Sequence, residues 1–256
     1  MRKIAKEKDR FLVKEGERVD DLLWNRLKLI QNPRWFCFGL DAVLLADFAQ
    51  VFPGENVLDL CTGNGVIPLL LSAKESTASF LGVELLPEVV ELAQRSVLLN
   101  GLSERIAIMV GDICCSGDFL SEQDFSVITV NPPYRKQGEG RISPSPYIAG
   151  AKVELYCDLA QIVAAIARHL VADGRFYMVY PYARLEELRQ QLHLKNLQEQ
   201  EICLVRNVSG EKPFLCLLRG SWAGKQGNIP VLTREFVVFR EKGNYSAEME
   251  KIFHRW

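Results

Sequence analysis

The sequence predicts an α/β fold built on a mainly parallel sheet with helices on both faces. Three observations predict it. From residue 56 onward, short apolar runs alternate with helical stretches, and repeated strand–helix units build parallel sheets. A glycine-rich turn, D-L-C-T-G-N-G at 59–65, joins the first strand of that series to the first helix. Gly63, Glu84, Asp112 and Asn131 each stand at or just past the end of a strand, which is where such sheets bind ligands.

The elements follow in order. N-V-L-D-L-C-T (56–62) is a strand bounded by Gly54 before and by Gly63 and Gly65 after. V-I-P-L-L-L-S-A (66–73) is a helix that tolerates Pro68 in its first turn. A-S-F-L-G-V-E-L (78–85) is the second strand. P-E-V-V-E-L-A-Q-R-S-V-L-L-N-G (87–101) is a helix with Pro at its start and Asn-Gly at its stop. I-A-I-M-V-G-D (106–112) and F-S-V-I-T-V (125–130) are the third and fourth strands. A loop rich in Gly, Pro and Ser covers 134–150. The next helix places Leu155, Leu159, Ile162, Ile166 and Leu170 on one face. G-R-F-Y-M-V-Y (174–180) is the fifth strand, and 182–194 is a polar helix. Strands near 201–207 and 213–219 flank Ser209-Gly210 and pair antiparallel. The expected sheet is seven-stranded with an antiparallel last strand. The tail after Pro230 has no expected role beyond covering it.

Composition narrows the function classes. The chain has 256 residues, 48% of them hydrophobic, enough for one large domain and a small appendage. The expected division is a covering segment over 1–50 and the main domain over 51–256. Seven cysteines, with no C-x-x-C pair, argue against a zinc ribbon, a redox motif and a disulfide framework. His169, His193 and His254 show no ligand spacing, so no metal is expected. The charged N-terminus lacks an apolar signal region, and no apolar run reaches membrane-spanning length. A cytoplasmic protein is expected, and a monomer.

Net charge is −1 but unevenly spread. Residues 35–130 carry three Lys or Arg against thirteen Asp or Glu, a charge of −10, while residues 1–34 and 175–256 each carry +4. The acidic block is expected to face away from a polyanion, and the basic ends can face one. Ordinary solvated surface charge gives the same pattern.

The chemistry lies at the strand ends. Glycines admit a ligand close to the backbone, and the helix start offers N–H donors. A pyrophosphate-binding turn wants G-x-G-x-x-G; counting from Gly63, the third glycine position holds Pro68. A ligand with a nucleoside and an amino-acid tail but no phosphate suits the turn better, and S-adenosylmethionine is that ligand. Asp59, Thr62, Gly63 and Gly65 are its candidate contacts within the turn. Glu84 is placed to accept from the ribose hydroxyls. Asp112 can accept from the adenine amine, and the Ile113 N–H can meet the ring. A helix-capping Glu84 and a turn-forming Asp112 are the plainer alternatives.

N-P-P-Y at 131–134 ends the fourth strand. An exocyclic adenine nitrogen is a poor nucleophile, because its lone pair is delocalised into the ring. Two acceptors out of the ring plane localise that pair. The Asn131 side-chain oxygen and the Pro132 carbonyl can be those acceptors, held by the fixed φ angles of Pro132 and Pro133. Tyr134 offers a face for an unstacked base. No general base is needed.

The D-L-C-T-G-N-G turn, Glu84 and N-P-P-Y together resemble the class I S-adenosylmethionine-dependent methyltransferases that modify planar nitrogens, with a Rossmann-like fold. The stretch Q-N-P-R-W-F-C-F-G-L-D-A-V-L-L-A-D-F at 31–48 goes further. It resembles the tRNA adenine-N6-methyltransferase family that acts on valine tRNA at adenine 37, next to the anticodon. The resemblance runs from about Arg18 to N-Y-S-A-E-M. It implies S-adenosylmethionine as cofactor, tRNA as partner and Asp41 near the cofactor. Gly39 stands where relatives often carry Ser. Phe36 and Phe38, with Trp35, are candidate base-stacking groups, and Arg135, Lys136 and Arg141 are candidate phosphate contacts. Two other readings stand beside this one. A release-factor glutamine methyltransferase uses the same tetrapeptide, but the segment before Asn56 is short for the helical domain that family carries. A non-catalytic RNA-binding module would keep the fold alone.

Overall fold

The structure, a computed structural model, describes residues 11–35, 37–114, 120, 125–134, 157–224, 230–241 and 243–254. Phe36, Arg135, Lys136, Arg141, the rest of the loop over 135–150 and the expected helix residue Leu155 lie outside the described residues.

A hairpin opens the described chain, β1 (Arg18–Asp21) against β2 (Lys28–Gln31). Helix α1 (Leu40–Phe48) follows. Then come β3 (Asn56–Leu60), α2 (Val66–Lys74), β4 (Ser79–Glu84), α3 (Pro87–Leu99), β5 (Ile106–Val110) and β6 (Phe125–Val130). Past the loop lie α4 (Leu159–His169), β7 (Leu170–Pro181), a 3-10 turn (Tyr182–Arg184), α5 (Leu185–Leu194), β8 (Leu197–Arg206) and β9 (Leu215–Trp222). The chain closes with β10 (Leu232–Val237), the short pair β11 (Phe239–Glu241) and β12 (Asn244–Tyr245), and α6 (Ala247–Phe253).

The central sheet has the order β10-β8-β9-β7-β6-β3-β4-β5. The mainly parallel sheet is as expected: β3 to β7 pair in parallel, and β9 runs antiparallel to both β7 and β8. Two expectations need correction. The sheet has eight strands rather than seven, because the tail after Pro230 contributes β10, which pairs parallel to β8 at the edge. Its run L-T-R-E-F-V is exposed over four of six positions, so it shows no buried alternation to read. Leu170, expected on a helix face, is the first residue of β7. The helix stops at His169, and β7 begins early through a register shift opposite Phe125 and Val127.

Alternate residues of the central strands feed two cores. Val57, Val127, Tyr177 and Val179 face one layer with α1, α2, α3 and α6. Leu58, Leu60, Ile128, Val130, Phe176, Met178 and Tyr180 face the other, with α4 and α5. The helices start where local chemistry allows. Pro87 sits at the first position of α3, where its missing N–H has no intrahelical partner to lose. Asp158 caps α4 in a capping box with Gln161, satisfying two orphan donors reciprocally.

One topological fact locates the site. The chain builds outward from β3 through β4 to β5, then returns to lay β6 on the other side of β3. Strand order therefore reverses between β3 and β6, and a crevice opens beyond their carboxyl ends. Leu60 and Val130, the last residues of these two strands, are register partners.

Candidate active site

The glycine-rich turn leaves β3 and the N-P-P-Y tetrapeptide leaves β6, side by side at that crevice. Gly63 (φ 56°) and Gly65 (φ 79°) both adopt the left-handed conformation that glycine accepts without steric penalty. Cys61 between strand and turn is left-handed too, at φ 57°, a conformation uncommon for a residue with a side chain. The turn is pinned by Thr62 N–H donating to the Val83 carbonyl at 2.9 Å and Gly65 N–H donating to Thr62 at 3.0 Å.

The cleft is lined by Cys61, Thr62, Gly63, Glu84, Gly111, Asp112, Ile113, Asn131 and Pro133, among others. Six residues expected at the site from their place at strand ends thus share one cavity: Thr62, Gly63, Glu84, Asp112, Ile113 and Asn131. The opposite wall comes from the N-terminal segment: Gln31, Asn32, Trp35, Phe38 and Ala42. Phe38 also packs on the core beneath.

Glu84 ends β4 with its carboxylate folded over the crevice. Oε2 accepts from Gly63 N–H at 3.0 Å, and Oε1 accepts from Leu85 and Leu86 N–H at 2.9 and 3.1 Å. Three donors occupy three of about four lone-pair sites on a carboxylate. One site on Oε2 remains for a ligand hydroxyl, and accepting two hydroxyls requires the Gly63 bond to yield. Burial raises the Glu84 pKa, and the three backbone donors oppose that rise. Asp112 serves its own turn as well as the cleft, with Oδ1 accepting from Cys114 N–H at 2.9 Å.

Asp59 lies beneath the turn, 1% exposed. Oδ1 accepts from the Thr129 hydroxyl at 2.6 Å, while Oδ2 is buried without a hydrogen-bond partner. Burial pushes its carboxyl up to about 7, against the Thr129 and Thr62 hydroxyls, and the nearby Glu84 charge adds to the rise.

The tetrapeptide has two partners from distant parts of the chain: Asp41, expected near the cofactor but not among the residues that line the cleft, and Arg184, which the sequence did not single out. Tyr134 donates its hydroxyl to Asp41 Oδ2 from α1, and the same hydroxyl lies 3.2 Å from Asn131 Oδ1. Burial, then the Asp41 charge, holds the Tyr134 phenol well above its ordinary pKa, so it stays a donor. Arg184, beyond the end of β7, donates from Nη1 to the Tyr134 carbonyl at 2.9 Å. Gln31 is a second residue the sequence did not single out. It is 2% exposed, and its Oε1 accepts from Phe38 N–H at 3.1 Å and from Asn64 Nδ2 at 3.3 Å. It thereby ties the N-terminal wall to the glycine-rich turn. The only local signal for Gln31 is its position at the end of β2.

Among the described residues, no group of three or more His, Cys, Asp or Glu is placed to hold a metal, and no helix is long and apolar enough to cross a membrane.

Solved structures share the fold. A predicted O-methyltransferase from Agrobacterium tumefaciens superposes with a TM-score of 0.66 at 18% identity, covering 84% of this chain and 95% of that one. Trm5 from Methanocaldococcus jannaschii, solved with adenosine, gives 0.58 at 10% identity over 83% of this chain and 57% of that one. Residues 40–200 match the Methyltransferase small domain. Proteins named tRNA1(Val) (adenine(37)-N6)-methyltransferase align over most of the chain. The one from Phocaeicola vulgatus is 32% identical over 77% of this chain and 82% of its own length. The one from Porphyromonas gingivalis is 27% identical over 84% and 86%. The chain belongs to the methyltransferase small domain family and, within it, to the group that carries this tRNA1(Val) name.

Proposed function

We propose that this protein transfers a methyl group from S-adenosylmethionine to the exocyclic N6 of an adenine in tRNA, adenine 37 of valine tRNA. One observation carries the reading: Asn131 and Pro133 line the same cleft as Gly63, Glu84 and Asp112. An amide acceptor therefore faces the place where a nucleoside would lie. The printed names of the relatives point to the same substrate.

The donor set fits the cofactor. Glu84 keeps an acceptor site for a ribose hydroxyl, Asp112 and Ile113 flank the adenine end, and Thr62, Gly63 and Gly65 form the approach. Asp59 supports the turn from below, and Gln31, Trp35 and Phe38 of the N-terminal segment cover the crevice. When bound there, S-adenosylmethionine supplies a methyl group on a positively charged sulfur. The remaining work belongs to the protein. Asn131 Oδ1 and the Pro132 carbonyl accept the two N–H groups of the target amine and draw its lone pair out of the ring. The prolines hold both acceptors, so little reorganisation is left for the moment of reaction. Tyr134 has one proton to give, and the charged Asp41 acceptor takes it. The Asn131 oxygen therefore keeps its lone pairs for the substrate. After transfer, the nitrogen loses its extra proton to water.

The test uses purified protein, methyl-labelled S-adenosylmethionine, and tRNA from a strain lacking the gene, with release factor in parallel. Labelled N6-methyladenosine in digested tRNA is expected, and Asn131→Ala should lose it while still binding cofactor. Label in release factor alone, or full activity in Asn131→Ala, would overturn the reading.

A further inference from the structure

Arg184 stands outside the cofactor cleft and belongs to no motif in the sequence. Its surroundings are nevertheless built. Nε and Nη2 form a two-pronged ion pair with Glu187, at 2.9 and 2.7 Å. The guanidinium carbon lies 5.1 Å from the centre of the Tyr180 ring. Tyr180 meets Tyr134 edge-on, with centroids 6.3 Å apart and planes at 89°. Nη1 donates to the Tyr134 carbonyl. The side chain is 13% exposed.

The platform under this arrangement is rigid. Tyr182 N–H donates to the Phe214 carbonyl at 3.1 Å, which fixes the 3-10 turn to the start of β9. Tyr180 is fully buried in the sheet. Tyr134 is the last residue of N-P-P-Y, so the Arg184 bond falls at the downstream end of the tetrapeptide. Its upstream end is fixed by β6 itself.

We infer that Arg184 is a positioning residue for the reaction: it clamps the Tyr134 carbonyl directly and the Tyr134 ring through Tyr180, and so fixes the angle at which the N-P-P-Y acceptors and the stacking face meet the target base. The inference rests on the methyl-transfer reading above. Arginine suits the task where lysine does not. Its planar fork pairs with Glu187 and stacks on Tyr180 while one arm reaches the carbonyl, whereas an ammonium is a single point charge. A group that only orients others should act on turnover and leave the binding of either substrate alone. A misplacement of about 1 Å at a reacting centre can lower the rate about 100-fold.

The experiment compares Arg184→Ala, Arg184→Lys and wild type in steady-state methylation of tRNA, with cofactor affinity by calorimetry, melting temperature and salt dependence measured alongside. Expected is a fall in kcat of about 10- to 100-fold for Arg184→Ala, an intermediate kcat for Arg184→Lys, and KM for tRNA and cofactor affinity within about threefold of wild type. Should Arg184→Ala fail to fold, Arg184→Lys carries the comparison. An active wild type matched in kcat by a folded variant overturns the inference alone. A loss confined to KM for tRNA, with a shallower salt dependence, would make Arg184 a phosphate contact and also overturn it. A wild type inert on tRNA overturns the functional reading and this inference together.

Discussion

Tyr134 donates its hydroxyl to the carboxylate of Asp41, 93 residues earlier in the chain. The bond joins the first helix, which follows the covering wall of the cleft, to the tetrapeptide that holds the target amine. It also decides which way a single proton points. Removing Asp41 should turn that proton onto Asn131 Oδ1, 3.2 Å away, and occupy an acceptor the substrate needs. Asp41→Ala should therefore lower kcat about tenfold, in line with one engaged hydrogen bond. Tyr134→Phe keeps the ring and loses the proton, so it should fall less. The double variant should match Tyr134→Phe. Additive losses in the methylation rate would show that the two residues act independently.

Glu84 gives the second prediction. Its carboxylate organises three backbone N–H groups and leaves one acceptor site. Glu84→Gln keeps one oxygen and turns a donor toward the turn. Cofactor affinity should drop about 10- to 100-fold, the scale of a hydrogen bond to a charged group. Because burial raises the Glu84 pKa, affinity in the wild type should begin to weaken at a higher pH than an exposed glutamate would dictate. Calorimetric titration across the acid range checks both points; unchanged affinity in Glu84→Gln would remove Glu84 from the site.

Asp59 predicts how stability follows pH. Its folded pKa is raised from 3.8 to about 7, so folding favours the protonated form. That contribution is complete below the unfolded value and is lost as pH rises through about 7. Asp59→Asn cannot ionise, and its amide oxygen can still accept from Thr129. The melting temperature of wild type should therefore decline relative to Asp59→Asn between about pH 4 and about pH 8. Parallel melting curves across that range would mean Asp59 is not perturbed.

Gly82 links the sheet to the turn. A methyl group added there would meet the Thr62 Oγ1 and Ile108 Cδ1 atoms at 2.7 Å. Both neighbours are packed, and overfilling such a space destabilises by about 1–3 kcal/mol. Gly82→Ala should lower the melting temperature and also weaken cofactor binding, because the Thr62 side chain in the turn is one of the two groups that must shift. A variant destabilised yet binding normally would separate the turn from the strand below it.

What the sequence makes legible is what it encodes locally. An apolar run that stops at a glycine or a lone carboxylate marks a strand end, and the topology then gathers those ends without further information. This is why Thr62, Gly63, Glu84, Asp112, Ile113 and Asn131 share one cavity. Asp41–Tyr134 and Arg184–Tyr134 leave no such trace. Their partners are 93 and 50 residues apart, and nothing in a charged residue of a polar helix announces that a distant carbonyl will sit beside it. Strands β1 and β10 are hidden for another reason. R-V-D-D and L-T-R-E-F-V are mostly exposed, so the alternation that betrays a half-buried strand is missing.

Trp24, in the hairpin turn between β1 and β2, is fully buried, and its indole N–H donates to the Ile252 carbonyl at 2.7 Å, across 228 residues. The β1–β2 turn and α6 are therefore fastened to each other. During synthesis on the ribosome, the segment that walls the cleft has no final seat until α6 has emerged. Contacts of such sequence separation form late and slowly. A nascent chain can thus fold its strands and turn well before it can enclose a substrate, and a nick or truncation ahead of Ser246 would return a finished molecule to that unenclosed condition.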